Sequence, residues 1–411
     1  MKKILILTVT AGNGHNACAK AMKEKLEEYG GVEVKIVDVL KAYSTPINIW
    51  VADKGYNIAI GKLRHLYHMF YEHYYKQDPN KRYQCKAQGV AMSIVSGLLK
   101  EIYEFKPDVI YSVHFYGAIA ITNLRLVYDI PCKVVVANLD YVNSPFWEGC
   151  IGVDYFVIPN KDFIMPSMKI GFSAEQLKPL GLPVNEKFFK EQSKEEARAE
   201  LGLDKDIFTI MVMFGGGHWK GGFNIFNELI HSLGDRKVQV IMINGRNKQD
   251  YEKISKMKFK KNIKVLNVGF TNKVDLYMSA SDVILNKLGG TSATEMINKK
   301  LPILVTDTVS GQERYNLEYL KSKGVAKSFK NKKELKEILF DLMDNKQHYD
   351  EMVDNVLKLR TNGIDNTAKL ILSLPNASYN QQKIDEIDYR RVFKNVQKAR
   401  LKANKSEKKK K

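Results

Sequence analysis

Twice along this chain an apolar run ends in glycines and passes straight into a helix pattern. The first is "KILILTVTAGNGHNACAKAM" near residues 4–28; the second is "FTIMVMFGGGHWKGGFNIFNELIHSL" near 208–233. A buried strand handing over to a helix through a glycine turn is the unit of a doubly wound α/β sheet. The surrounding sequence repeats the alternation. "VEVKIVDVL", "DVIYSVH", "KVVVANL" and "DYFVIPN" read as strands in the first half, and "VQVIMING", "IKVLNVGF", "VILNK" and "PILVTD" in the second. Apolar runs with helices between them require a parallel sheet covered on both faces. Two such series predict two Rossmann-like domains, residues 1–185 and 190–365, joined by an exposed linker around Gly181–Phe189. Residues 366–411 read as a helical basic tail, with Tyr389, Val392, Phe393, Val396 and Ala399 at helical spacing.

Composition narrows the class. The 411 residues carry 65 Lys/Arg against 46 Asp/Glu, a formal net charge of +19. From Arg390 to Lys411 there are eleven Lys/Arg and one acid, so that segment alone contributes +10. Such an excess favours anionic partners: nucleic acid, an acidic lipid surface or phosphorylated ligands. No run approaches the roughly 18 apolar residues that span a bilayer. The start, "MKKILILTVT", is interrupted by threonines and leads into a glycine loop, so it reads as a first strand and not as an export signal. The four cysteines stand apart from one another and form no zinc-like pattern.

Three glycine-bearing sites carry the chemistry. In "AGNGHNACAK", Gly12 and Gly14 allow a tight turn before a helix N-terminus, where an anion is favoured. With Ala17 and Asp38 this is close to a dinucleotide fingerprint, but His15 is foreign to one. An imidazole there suits the deprotonation of a hydroxyl, or else bonds a nearby carbonyl. In "NKLGGTSATEM", Lys287 precedes Gly289 and Gly290, and Thr291 and Ser292 read as caps of a helix that carries Glu295 in its first turn. Free amides there suit a diphosphate, and the carboxylate suits ribose hydroxyls. In "SGQERYN", Gln312 and Glu313 begin another helix and suit sugar hydroxyls. "DKD" at Asp204–Asp206 imitates a metal-binding D-x-D but reads as a polar turn. His114 and Asp140 lie at strand ends with no role assigned, and no metal site is expected.

Taken together, "GNGHNACAKAM", "GLPV", "MFGGG", "GF" and "GGTSATE…GQE" resemble the monogalactosyldiacylglycerol synthase and diglucosyldiacylglycerol synthase group. The resemblance runs from Met1 to about Ala368 and leaves out the basic tail. It implies an α/β chain of GT-B fold, with two doubly wound Rossmann-like domains facing a cleft. It also implies an inverting glycosyltransferase that moves a hexose, glucose or galactose, from a UDP-sugar to diacylglycerol or a glycosyl-diacylglycerol. His15 then matches the acceptor base, on the loop of Gly12 and Gly14. Gly215 and Gly216 match the turn near the phosphates, and Phe270 the place where backbone groups read uracil. Gly289, Gly290 and Thr291 match the diphosphate turn, Glu295 the ribose ligand, and Gln312 and Glu313 the residues facing the hexose. No cofactor is required for the chemistry that the resemblance implies. Two departures concern loop shape: Leu288 stands where the family often has proline, and "TDTVSGQE" lacks the usual prolines.

An apolar acceptor gives the basic surface a purpose. Tyr67, Phe70 and Tyr71 lie among basic residues in "GKLRHLYHMFYEHYYKQDPNKRYQCK", a mixture suited to a lipid headgroup layer. The expected partners are UDP-hexose, diacylglycerol and an anionic membrane surface, without nucleic acid. The expected location is cytoplasmic, peripheral on the inner face of the cell membrane. A glycosyltransferase acting on a lipid-linked peptidoglycan precursor, an NAD-linked oxidoreductase, and a nucleotide-sugar sensor without turnover remain as alternatives.

Overall fold

A computed structural model describes residues 1–10, 14–50, 69, 73, 87–214, 221–306 and 311–409. The expectations for Gly12, Tyr67, Phe70, Tyr71, Gly215 and Gly216 therefore lie outside the described residues. The chain forms two units, residues 1–185 with 362–411, and residues 186–361.

Unit 1 holds a six-stranded sheet in the order β2-β1-β3-β4-β5-β6. Its strands are β1 (Lys2–Thr8), β2 (Val32–Asp38), β3 (Val109–Ser112), β4 (Lys133–Ala137), β5 (Tyr155–Val157) and β6 (Leu177–Lys178). Every pairing is parallel. Helices α1 (Gly14–Tyr29), α2 (Ala87–Phe105) and α3 (Phe115–Leu124) flank it. The interior residues of β1, Ile4 to Leu7, are essentially inaccessible to solvent. That explains an unbroken apolar run where a half-exposed strand would alternate.

Unit 2 has the order β12-β11-β10-β7-β8-β9, again parallel throughout. The strands are β7 (Thr209–Met213), β8 (Val238–Ile243), β9 (Ile263–Val268), β10 (Val283–Asn286), β11 (Ile303–Thr306) and β12 (Ala326–Phe329). Counted from β7 this is the 3-2-1-4-5-6 order of the dinucleotide-binding fold. Its helices of eight or more residues are α4 (Gly222–Ser232), α5 (Lys248–Ser255), α6 (Gly290–Asn298), α7 (Gln312–Ser322), α8 (Lys332–Asp344) and α9 (Lys346–Leu359).

The division differs from the sequence reading at one end. The second unit stops at Thr361, and the segment read as a helical basic tail belongs to unit 1. Helix α10 (Gly363–Ser373) explains why. Its Ile364, Ala368 and Ile371 are buried in one apolar cluster with Ile4, Ile6, Met22 and Leu26 of β1 and α1. Gly363 permits the approach: a Cβ there would lie 2.5 Å from the Leu182 carbonyl oxygen. Helix α11 (Val392–Lys409) then packs on α2 and α3.

Candidate active site

In an open parallel sheet, ligands gather beyond the carboxyl ends of the strands where the strand order reverses. In unit 1 that place lies between β1 and β3, and His15 stands there in the first turn of α1. Its Nδ1 lies 2.7 Å from the carbonyl oxygen of Val113, just past β3. A carbonyl only accepts, so Nδ1 carries the hydrogen and the neutral ring keeps its lone pair on Nε2. Of the two roles open to this histidine, the bond to a carbonyl is present, and it prepares the other nitrogen to take a proton.

His114 shares the site. It is 4% exposed, and its ring meets that of His15 edge-on with centroids 4.7 Å apart. Its Nδ1 accepts the Tyr116 N–H at 3.2 Å and so caps α3. Burial holds the pKa of His15 below the usual histidine value, against the upward pull of the Val113 carbonyl and the Asp140 charge. Burial, with His15 as a second cause, pushes His114 well below it. The site therefore holds two neutral imidazoles near neutral pH.

Asp38 has a structural duty. Its Oδ1 accepts the N–H groups of Leu40 and Lys41, and its Oδ2 accepts the N–H and hydroxyl of Thr10 at 3.0 and 2.5 Å. The carboxylate that a dehydrogenase would turn toward a ribose here ties the first loop to the next helix.

The described candidate donor residues lie in unit 2, beyond β9, β10 and β11. Asn286, at the end of β10, donates from Nδ2 to the Met213 carbonyl at 2.6 Å and accepts the Leu288 N–H at 2.8 Å. Leu288 is fully buried with φ of +65°, a conformation closed to proline. The turn is thus built differently from one with proline at that position. The carbonyl of Leu288 accepts from Asn316 Nδ2 of α7 at 3.2 Å. Lys287 Nζ pairs with Glu313 Oε1 at 3.1 Å. Two bonds thus join the turn before Gly289 to the helix that carries Gln312 and Glu313.

Gly289 caps α6 with φ of −64°, and a Cβ there would meet no atom within 4 Å. Neither backbone conformation nor packing requires glycine at this position. Helix α6 has no acidic residue in its first turn, and Gly289 offers no side chain to its leading amides. Such an end favours an anion. The helix thus starts earlier than expected, at Gly290 with Thr291 and Ser292 already inside it, so Glu295 lies beyond the first turn, half-buried. Burial raises its pKa to about 7, with Lys187 opposing and Asp275 adding to the shift. Phe270, just past β9, is 60% exposed, with the Arg246 guanidinium 5.3 Å from its ring centroid.

The sequence reading left His114 and Asp140 without a role and missed Lys287, Asn286 and Asn316 as supports. The available signal was position, since each follows or ends a strand or lies one turn into a helix. At Asp204–Asp206 the first carboxylate accepts the Asp206 N–H at 3.0 Å, as in a polar turn.

Two Rossmann-like units, each built on a parallel six-stranded sheet, are the two-domain α/β architecture of the GT-B fold. Acinetobacter baumannii MurG has this fold, with a TM-score of 0.60, 14% sequence identity, and coverage of 90% of this chain and 99% of that one. Residues 15–184 match the family described as monogalactosyldiacylglycerol (MGDG) synthase, and residues 210–371 match the glycosyltransferase family 28 C-terminal domain. The chain is 30% identical over 346 residues to the monogalactosyldiacylglycerol synthase of Spinacia oleracea, covering 81% of this chain and 65% of that protein. It is 27% identical over 360 residues to a processive diacylglycerol beta-glucosyltransferase of Staphylococcus epidermidis, covering 87% and 88%. The chain thus carries an MGDG synthase family domain followed by a glycosyltransferase family 28 C-terminal domain.

Proposed function

We propose that the protein transfers a hexose from a UDP-sugar to a hydroxyl of diacylglycerol or of a glycosyl-diacylglycerol, with inversion. The observation that carries this reading is the His15–Val113 bond, which leaves Nε2 as the basic nitrogen. The acceptor oxygen attacks the anomeric carbon. As that bond forms, the bond from the anomeric carbon to the β-phosphate oxygen breaks, and UDP leaves with the electron pair. The hydroxyl proton passes to His15 Nε2. The amides at the start of α6 stabilise the departing diphosphate. A Cβ at Gly289 would meet no atom within 4 Å, which supports close approach of such a group.

Glu295 accepts the ribose hydroxyls in this reading, Phe270 marks the uracil end, and Gln312 and Glu313 address the hexose. Lys287 holds Glu313 in place from the neighbouring turn. The protein works from the cytoplasmic face of the membrane, attached peripherally to an anionic surface. The names of the relatives include both a galactosyl and a glucosyl enzyme.

The test is incubation of the full chain with diacylglycerol vesicles and labelled UDP-glucose or UDP-galactose in parallel, followed by separation of the lipids. A labelled glycolipid from one donor is the expected result and identifies the sugar. Release of UDP without any lipid product, or label appearing only with a polyprenyl-linked acceptor, overturns the reading.

A further inference from the structure

The last helix of the chain is strongly basic and yet is built into unit 1. Val392 and Val396 of α11 are fully buried. Ala399, Arg400, Ala403 and Asn404 continue the same stripe, half-buried. This is the i, i+4, i+7 pattern of a helix laid on a protein surface. At its start, Asp388 pairs with Arg390 and Arg391 at 3.0 and 3.5 Å.

The opposite side faces solvent and has another character. Leu401 is 54% exposed, and Lys394, Lys398, Lys402 and Lys405 are exposed around it, while Phe393 lies on the flank with the half-buried Arg400 and Asn404. At the helical angle of 3.6 residues per turn, Lys394, Lys398, Leu401 and Lys405 lie within about 60° of one another. The lysines are spread over roughly 16 Å along the axis. No acidic residue occurs between Val392 and Ser406. A face that serves only solubility intersperses both signs and hides its large apolar residues. This one does neither. The segment also lies beyond residue 371, where the family 28 match ends.

Charge and shape together select the partner. Lysines of one sign on a rigid face suit a surface of opposite charge, and an exposed leucine in their midst gains only where an apolar layer lies beneath that charge. We propose that the outward face of α11 docks the protein on an anionic lipid bilayer. Lys394, Lys398, Lys402 and Lys405 neutralise headgroups, and Leu401 enters the interfacial layer. The inference deepens the functional reading above, because an acceptor dissolved in a membrane gives the docking its purpose. Since α11 packs on α2 and α3, and His114 caps α3, docking holds the unit that carries His15.

The experiment uses the full chain and two vesicle types, phosphatidylcholine alone and phosphatidylcholine mixed with phosphatidylglycerol. Partitioning is read by sedimentation over a salt series. Wild type binds the mixed vesicles, and binding weakens as salt rises. The variant with Lys394, Lys398, Lys402 and Lys405 all changed to Glu loses at least about a hundredfold in partitioning, together with its salt dependence. The same four positions changed to Arg retain binding. Leu401→Ser loses about fivefold and keeps the salt dependence.

Melting temperatures stay close to wild type, because Val392 and Val396 remain. Transfer to a short-chain diacylglycerol dispersed in detergent stays unchanged in all variants. Absence of transfer to any diacylglycerol removes the functional reading, while the vesicle measurements still decide the docking. Wild-type binding by the four-Glu variant overturns the proposal. So does tighter binding of an oligonucleotide than of mixed vesicles.

Discussion

Asn316 Nδ2 donates to the carbonyl oxygen of Leu288 at 3.2 Å, and Leu288 is a buried leucine with φ of +65°. A branched residue in that conformation costs on the order of 1–2 kcal/mol and persists only where its surroundings over-determine it. Asn286 holds the amide of Leu288 and Asn316 its carbonyl, so the turn before Gly289 is fixed from both sides. Asn316→Ala removes one hold and leaves a buried carbonyl without that donor. The expected result is a rise of about fivefold to tenfold in the Kd for UDP, with a smaller change in melting temperature. Isothermal titration measures it. An unchanged Kd alongside a lowered melting temperature would show that Asn316 serves only the packing of α7.

His15 gives a second expectation. His15→Ala should retain UDP binding and lose transfer by roughly a hundredfold or more. The pH profile carries a sign. A base works in its deprotonated form, and burial lowers the pKa of His15, so the imidazole stays neutral to a lower pH than an exposed one. The acid limb of kcat/KM should therefore fall below pH of about 6.5, the ordinary histidine value. An acid limb well above that point, absent from the Ala variant, would mean that Asp140 outweighs burial.

The parts of this molecule that follow from local pattern were readable in the sequence. Continuous apolar runs marked β1 and β7, and the glycines after them marked the handover to helices. The residues at the head of α6 and α7 were found because glycine, hydroxyl and carboxylate side chains follow one another within a turn. What was not readable depends on which strands become neighbours. His15 and Val113 are 98 residues apart, and only the pairing of β1 with β3 brings their chain ends together. Asn316 reads as one polar residue in an amphipathic helix until the turn at Leu288 is placed beside it. The return of α10 to unit 1 was hidden for a similar reason. Its apolar stripe at Ile364, Ala368 and Ile371 says that it is covered, but not by which sheet.

In the proposed reading, in which Glu295 accepts the ribose hydroxyls, donor binding depends on pH. Burial raises its pKa to about 7, so near neutrality the carboxyl is only partly ionised. Hydroxyls of a ribose donate to the ionised form. Binding of UDP should then release a proton, and affinity should rise from about pH 6 to about pH 8 before levelling. Titration calorimetry in two buffers of different ionisation enthalpy counts that proton. In the free protein the linkage runs the other way. A carboxyl whose folded pKa lies above its unfolded value binds more protons when folded, so its contribution to stability falls as pH rises between the two values. Glu295→Gln should flatten both dependences. UDP affinity that still rises with pH in Glu295→Gln would assign the titration to another group.

Gly363 tests how the chain returns to its first unit. A Cβ at this position would lie 2.5 Å from the Leu182 carbonyl oxygen and 2.6 Å from the Gly181 carbonyl carbon. Those atoms are backbone, so they cannot swing aside as a side chain would. Gly363→Ala must push α10 away from the 181–182 segment, and with it Ile364, Ala368 and Ile371 from the core they share with β1 and α1. A loss of about 2–4 kcal/mol is expected, within the range for overpacked buried sites and partial loss of apolar contact. Hydrogen exchange should show the loss of protection in α10 and α1. Gly89, on α2, is the control. A Cβ there meets nothing within 4 Å, and its helical backbone suits alanine. Gly89→Ala should raise stability by about 0.5–1 kcal/mol. If both variants melt alike, the close approach of Gly363 to the 181–182 backbone does not set the packing of α10.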